Sequence, residues 1–395
     1  MKTALKGFTR RAAISALSAA LALSATGLAR ADQGKVKVGL MLPYTGTYAA
    51  LGNAITNGFK QFVTENGGKL GGREVEYFVV DDESDPAKAT ENAKKLVKRD
   101  NVDVLVGTVH SGVALAMSKV ARENKTLLIV PNAGADELTG PLCDANLFRT
   151  SFSMWQPSYA MGKVMAAKGH KKVVTLTWKY AGGQQAVDGF KEAFEKGGGK
   201  VLKDMTLPFP NVEFQPFLTE IAALKPDAVY VFFAGGGAAK FAKDYAAAGL
   251  KNSIPLYASG FLTDGTIDAM GDASQGLLTT LHYGDGIDSP KNNAFRLNYA
   301  KTYKAQPDVY AVQGYDAAQA FNVGLTAVKG DTGKRAELIK AMESARIDSP
   351  RGPFTFSKAH NPVQNIYLRK VEGRENKVID TPEKSLADPA RGCKL

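Results

Sequence analysis

The 395 residues contain only two cysteines and four histidines, so little of the usual metal and thiol chemistry is open to them. His110, His170, His282 and His360 are scattered, and neither HExxH nor CxxC occurs, which argues against a zinc site. No GxSxG elbow is present and no Ser/His/Asp set stands out, so a hydrolase of that kind finds no support. GxxxxGK(S/T) and GxGxxG are also missing, which removes the common phosphate loops. Gly235-Gly236-Gly237 follows a strand and reads as a tight turn that lets backbone approach closely. Acidic residues number 39 against 50 basic ones, yet the excess forms no dense Lys/Arg block interleaved with aromatics. No cofactor, metal or nucleic-acid partner is expected.

Long hydrophobic runs are almost absent as well. The one that stands out is Ala/Leu-rich, spans Ala12 to Leu28, and follows Lys2, Lys6, Arg10 and Arg11. It ends at Ala29-Arg30-Ala31, a small-x-small cleavage site, so residues 1–31 read as a signal peptide rather than a membrane anchor. Thr9-Arg10-Arg11 hints at twin-arginine export, but Ala12-Ala13 replaces the apolar pair that usually follows, and Sec export stays open. No cysteine lies near the cleavage site to carry a lipid. Cleavage removes five basic and no acidic residues, leaving 45 against 39, a net charge of +6. The mature chain of roughly 360 residues is long for one core and natural for two. Cys143 and Cys393, an even pair in an exported chain, read as a disulfide.

After Asp32 apolar strand signals alternate with amphipathic helical ones, the pattern of an α/β fold with parallel sheets. Strands are expected at Val36–Leu42, Val75–Val80, Val102–Val106 and Leu127–Val130, with helices at Ala49–Glu65, Pro86–Arg99 and Gly112–Glu123. A Gly/Pro-rich break covers Asn132–Pro157. The alternation then restarts with strands at Val173–Thr177, Lys200–Leu207, Ala228–Phe233 and Leu256–Ala258. Helices fall at Gln184–Lys196, Phe214–Leu224 and Ala238–Ala248. Leu277–Tyr283 leads out of this second set, three more helices follow, and Phe354–Phe356 with Val363–Val371 reads as a hairpin. Two such halves make two lobes with a cleft between them, where ligands bind at strand carboxyl ends.

The strand-end turns are small or hydroxylated: Tyr44–Tyr48, Thr108–Gly112, Asn132–Ala135, Tyr180–Gly183, Ala234–Gly237 and Gly260–Phe261. Ser111 sits where a helix begins, and is either a carboxylate ligand or a plain N-cap. Taken in order, VGLMLPYTGTYAALG, VDVLVGTVHSGVALA, LLIVPNAGADELTG, LFRTSFS, FFAGGGAAKFAKDYAAAGL, ASGFLTDGTI and GYDAAQAF resemble the solute-binding proteins of ABC transporters. The resemblance is to the branched-chain amino acid (Leu/Ile/Val-binding) family and covers nearly the whole mature chain.

That resemblance implies a type I periplasmic binding protein, two Rossmann-like lobes joined by three hinge crossings near Arg149–Ser151, Leu281–Tyr283 and Ser349–Gly352. Lobe one would hold residues 32–149 and 283–349, and lobe two residues 150–282 and 350–395. It implies a monomer that closes on a small ligand in the periplasm and delivers it to a permease. The implied ligand contacts are Thr45, Tyr48, Ser111, Asn132, Ala133, Gly134, Tyr180, Gly236 and Phe261. Amino-acid binders of this family carry an acid after the strand Ala228–Phe233 to pair with the ligand ammonium, and here Ala234-Gly235-Gly236-Gly237-Ala238-Ala239 stands instead. An unpaired buried ammonium costs several kcal/mol. The expected ligand is therefore an aromatic carboxylate of benzoate or phenylpropenoate type. Tyr48, Tyr180, Phe209 and Phe261 are candidate walls, or else core. The alternatives are a branched-chain amino acid, amide or urea, with Asp264 or Asp316 as ammonium partner, an exported α/β enzyme, or a sensory receptor.

Overall fold

The computed structural model describes residues 34–395, and the expected signal peptide, residues 1–31, lies outside them. Strand β1 (Val36–Leu42) is apolar at all but one position and buried on both faces, as a central parallel strand must be. The chain continues through α1 (Ala49–Glu65), β2 (Lys69–Leu70), β3 (Arg73–Asp81) and α2 (Pro86–Lys94). It goes on to β4 (Val104–Val106), α3 (Ser111–Glu123), β5 (Leu127–Val130) and β6 (Leu147–Arg149). Together these strands form a six-stranded sheet in the order β2-β3-β1-β4-β5-β6, parallel except for the β2–β3 hairpin. As the sequence suggests, Asp85 caps α2 by accepting from the Ala87 N–H, with Pro86 in the first turn.

A second sheet begins after α4 (Trp155–Ala167), with β7 (Lys172–Lys179), α5 (Ala181–Lys196), β8 (Lys200–Pro208), α6 (Gln215–Leu224) and β9 (Ala228–Phe232). It continues with α7 (Gly235–Ala247), β10 (Leu256–Ser259), the short α8 (Ile267–Met270) and β11 (Leu278–Leu281). Then α9 (Pro290–Tyr303), α10 (Val309–Ala327) and α11 (Arg335–Glu343) follow. Helix α10 returns to the first lobe and touches α1 backbone to backbone. A Cβ on Gly58 would stand 1.8 Å from the Ala311 carbonyl oxygen, and one on Gly314 1.9 Å from that of Ile55. The chain ends with β12 (Arg346–Ile347), β13 (Phe354–Phe356), β14 (Pro362–Glu372) and β15 (Glu375–Leu386). The second sheet runs β12-β13-β14-β11-β10-β9-β7-β8, with β15 on the other side of β14.

Several features depart from the sequence reading, among them α4, a helix that the reading left out, and the start of α5 at Ala181 rather than Gln184. β15 was not expected, because its residues are mostly polar and exposed and include Pro382, so it carries no apolar alternation. Helix α7 starts at Gly235, not at Ala238. β12 already pairs with β13, so the chain reaches the second sheet before Ser349. The expected Cys143–Cys393 disulfide is present, with Cα atoms 5.6 Å apart, and ties the C-terminal tail to the segment between β5 and β6.

Three arginines, each no more than 3% exposed, sit where the chain passes between the sheets. Arg351 donates to the carbonyls of Ser151 (2.9 Å) and Thr150 (2.6 Å) in the first passage, and its Nε pairs with Asp316 of α10 at 3.0 Å. Arg369 donates to the Tyr283 carbonyl of the second passage (2.8 Å) and pairs with Asp264 at 2.7 Å. Arg149 donates to Asn361 Oδ1 (2.6 Å) and to the Ala135 carbonyl (2.6 Å). Each guanidinium thus meets carbonyl or amide oxygens, and two also meet a carboxylate, which offsets the cost of desolvating a cation. Replacing Arg351 by Met would leave Asp316 buried with little but the Ser349 hydroxyl, which donates to it at 2.9 Å. The expected loss is about 3–5 kcal/mol, read as a lower urea midpoint, and Arg351→Met with Asp316→Leu should recover most of it. A wild-type midpoint for the single variant would show that the pair does not hold the hinge.

Candidate functional site

A small, partly open cavity lies between the carboxyl ends of the two sheets. From the first lobe, Tyr48 and Leu51 reach it from the start of α1, Val109 and Ser111 from the end of β4, Asn132 and Gly134 from the end of β5, and Tyr310 from the start of α10. The second lobe supplies Phe152 and Met154 after β6, Tyr180 after β7, Phe232 and Ala234 at the end of β9, and Phe261 after β10. No side chain lining it is charged.

The cavity lies at helix starts. Ser111 is the first residue of α3, Tyr180 and Ala234 are the N-caps of α5 and α7, and Tyr310 is the second residue of α10. Backbone N–H groups and the positive ends of helix dipoles therefore gather around an uncharged, aromatic space. Three of these ends are already capped by side chains. Asp308 accepts from the Ala311 N–H at the start of α10 (3.0 Å), and the Thr47 hydroxyl accepts from the Gly237 N–H across the cleft (3.2 Å). At α3 the cap is His110, whose Nδ1 accepts from the Gly112 N–H at 3.1 Å. Ser111 is thus not the N-cap; it is 1% exposed and lines the cavity. The Tyr310 hydroxyl is buried without a partner among the described residues. Unpartnered polar groups in a cavity are groups a ligand can use.

The lobes meet at this site through a ring cluster. His110 stacks on Tyr180 at 4.6 Å, Tyr48 packs on Phe209 at 5.1 Å, and the Tyr48 and Tyr180 hydroxyls stand 3.3 Å apart. Burial holds the His110 ring neutral, with its pKa lowered to about 4 against a weaker opposing pull from Asp85. Burial also raises the phenols of Tyr48, Tyr180 and Tyr310 above their ordinary value. Close approach depends on missing side chains: a Cβ on Gly235, at φ +59°, would lie 2.2 Å from the Thr47 carbonyl oxygen of the other lobe. One on Gly182 would lie 2.9 Å from Ser111 Oγ.

Six of the nine expected contacts therefore come together: Tyr48, Ser111, Asn132, Gly134, Tyr180 and Phe261. Three do not line the cavity. Thr45 is exposed, and its hydroxyl donates to Asp81 Oδ2 at 2.7 Å. The Ala133 N–H is spent on the Thr108 carbonyl (2.9 Å), and Gly236 faces outward while its two neighbours are buried. Phe209 backs Tyr48 from behind and does not line the space. Asp264 and Asp316, considered as ammonium partners, are bound to Arg369 and Arg351 and lie outside the lining. Val109 and Ala234 lie in the expected strand-end turns but are not among the nine contacts, and Leu51, Phe152, Met154, Phe232 and Tyr310 lie outside those turns; Phe152 and Tyr310 are aromatic rings next to a passage and a helix start.

Known proteins bear directly on this architecture. The family model described as periplasmic binding protein matches residues 35–376. Leu/Ile/Val-binding protein homolog 6 of Brucella abortus (strain 2308) is 32% identical over 384 residues, covering 94% of this chain and 97% of that one. An ABC transporter solute-binding protein from R. palustris, solved in complex with benzoate, is 55% identical with a TM-score of 0.90, covering 92% of this chain and all (100%) of that one. Another, from Rhodopseudomonas palustris BisB5 in complex with 3,4-dihydroxy benzoic acid, is 34% identical with a TM-score of 0.85, covering 90% and 99%. With two α/β lobes enclosing an uncharged cavity, and with likeness along nearly its whole described length, this chain belongs to the periplasmic binding protein family.

Proposed function

We propose that this chain is the periplasmic receptor of an ABC importer for a benzoate-type aromatic carboxylate, acting as a monomer that closes on the ligand and presents it to the permease. The chain is a solute-binding protein and not an enzyme. The observation that carries the ligand class is the cavity itself: aromatic walls, no charged side chain, several helix N-termini, Ser111 in the lining, and a buried Tyr310 hydroxyl without a partner among the described residues. A carboxylate is satisfied there by neutral donors and helix dipoles, whereas an ammonium meets no anion. The benzoate complex of the R. palustris relative supports the same class.

Closure follows from the cleft contacts. The His110–Tyr180 stack, the Thr47–Gly237 hydrogen bond and the Ser111–Gly182 approach each join one lobe to the other. A ligand between them binds the closed form better than the open one and shifts the population toward it. No helix among the described residues is long and apolar enough to cross a membrane.

Calorimetric titration should find benzoate binding tightly and leucine not at all; tight leucine binding without benzoate binding would overturn the ligand class. Ser111→Ala should weaken benzoate by about 1–3 kcal/mol at unchanged thermal stability, and an unaltered Kd would take the hydroxyl out of the site. His110 gives a pH signature. Its folded pKa of about 4 lies below the ordinary 6.5, so the unfolded chain takes up the proton first. The stability it contributes is complete above pH 6.5 and is lost as pH falls toward 4. In urea titrations across that window His110→Phe should show a shallower acid loss than the wild type; parallel curves would remove His110 as the cause.

A further inference from the structure

A chain of three neutral side chains runs from the cavity wall to the hinge. Asn132, which lines the cavity, meets the Gln313 amide of α10 at 2.7 Å, and Gln313 meets His282 Nε2 at 3.3 Å. Asn132, Gln313 and His282 are all at least 96% buried, and His282 belongs to the second passage between the sheets, one residue after β11. The far nitrogen of its ring, Nδ1, is buried with no partner among the described residues.

These contacts are compatible with two polarities, because turning both amides exchanges donor for acceptor without moving a heavy atom. In one, Asn132 Nδ2 donates to Gln313 Oε1 and Gln313 Nε2 donates to His282 Nε2. The neutral ring then carries its proton on Nδ1, where no acceptor waits, and Asn132 turns its carbonyl toward the cavity. In the other, His282 Nε2–H donates to Gln313 Oε1, Gln313 Nε2 donates to Asn132 Oδ1, and Asn132 turns its NH₂ toward the cavity. The orphan at Nδ1 is now a lone pair. A buried N–H without an acceptor is rarer and costlier than an under-used acceptor, so the ring itself selects the second polarity. Burial, with Arg351 and Arg369 nearby, keeps the ring neutral, so it cannot escape the choice by carrying both protons.

We infer that His282 and Gln313 are positioning residues that fix the Asn132 amide with its donor toward the cavity, so that the hinge sets the site's preference for an anion. This rests on the carboxylate reading of the same cavity, and it adds that the preference is imposed from outside the binding wall. A ligand offering only donors at that position would have to reverse all three groups and leave a buried N–H on His282 unpaired.

Nitrogen-15 NMR of the histidine-labelled protein tests it, since only four histidines contribute. His282 is assigned by the signals lost in His282→Gln. The free protein and its benzoate complex should both show His282 protonated on Nε2; protonation on Nδ1 in either overturns the inference. Gln313→Glu keeps an acceptor toward His282 and deletes the donor toward Asn132. It should retain the Nε2–H signal and weaken benzoate at least tenfold, and an affinity within twofold of wild type also overturns the inference. If the wild type binds no aromatic carboxylate, the functional reading fails on its own, while the tautomer in the free protein still decides the polarity.

Discussion

The cleft depends on cations that have no water. Arg149, Arg351 and Arg369 are buried where the chain passes between the sheets, and each is held by oxygens from segments far apart in sequence. A guanidinium offers five donors in a fixed plane, so one side chain can bind two passages and a carboxylate at once. Lysine could not, having a point charge and a flexible stem. These planes fix the two sheets edge to edge, and the facing strand ends bring Ser111 opposite Gly182 and Thr47 opposite Gly235. The cavity is what remains between surfaces positioned in this way.

The charges also explain an omission. All acids near the cleft are committed elsewhere: Asp264 to Arg369, Asp316 to Arg351, and Asp308 to the start of α10. Burial pushes the Asp308 carboxyl up to about 7, and Asp264 of the other lobe adds to that push. None of these groups lines the ligand space, which is left to rings, helix ends and hydroxyls. An uncharged site surrounded by buried charge pairs can discriminate by sign, because no mobile countercharge is there to adapt.

Much of this was legible in the sequence. The alternation of strand and helix gave the two sheets, since apolar runs such as VKVGLML have few other uses than a doubly covered strand. The strand-end turns hold eight of the cavity residues, because ligand sites sit at strand carboxyl ends whatever the ligand. What stayed hidden has physical causes. β15 is an exposed polar strand held by backbone pairing to β14, and pairing leaves no mark on side-chain pattern. Thr45 and Thr47 stand two apart in one turn, and only the fold reveals that the first faces Asp81 and the second the opposite lobe. Ser111 was left between two roles until His110, a residue seldom expected as a cap, turned out to hold the Gly112 N–H.

The bond between Cys143 and Cys393 carries a topological consequence. It closes the stretch between those two residues into a covalent ring that contains the whole second sheet together with α9, α10 and α11. A protease that nicks any one peptide bond inside the ring leaves a single connected molecule, with both new ends still tethered to the first sheet. A nick before Cys143 has no such protection and leaves the N-terminal piece, β1 included when the cut follows it, held by packing alone. For a protein built to work outside the cytoplasm, the ring makes most of its length tolerant of a single cut, provided the thiols stay oxidised.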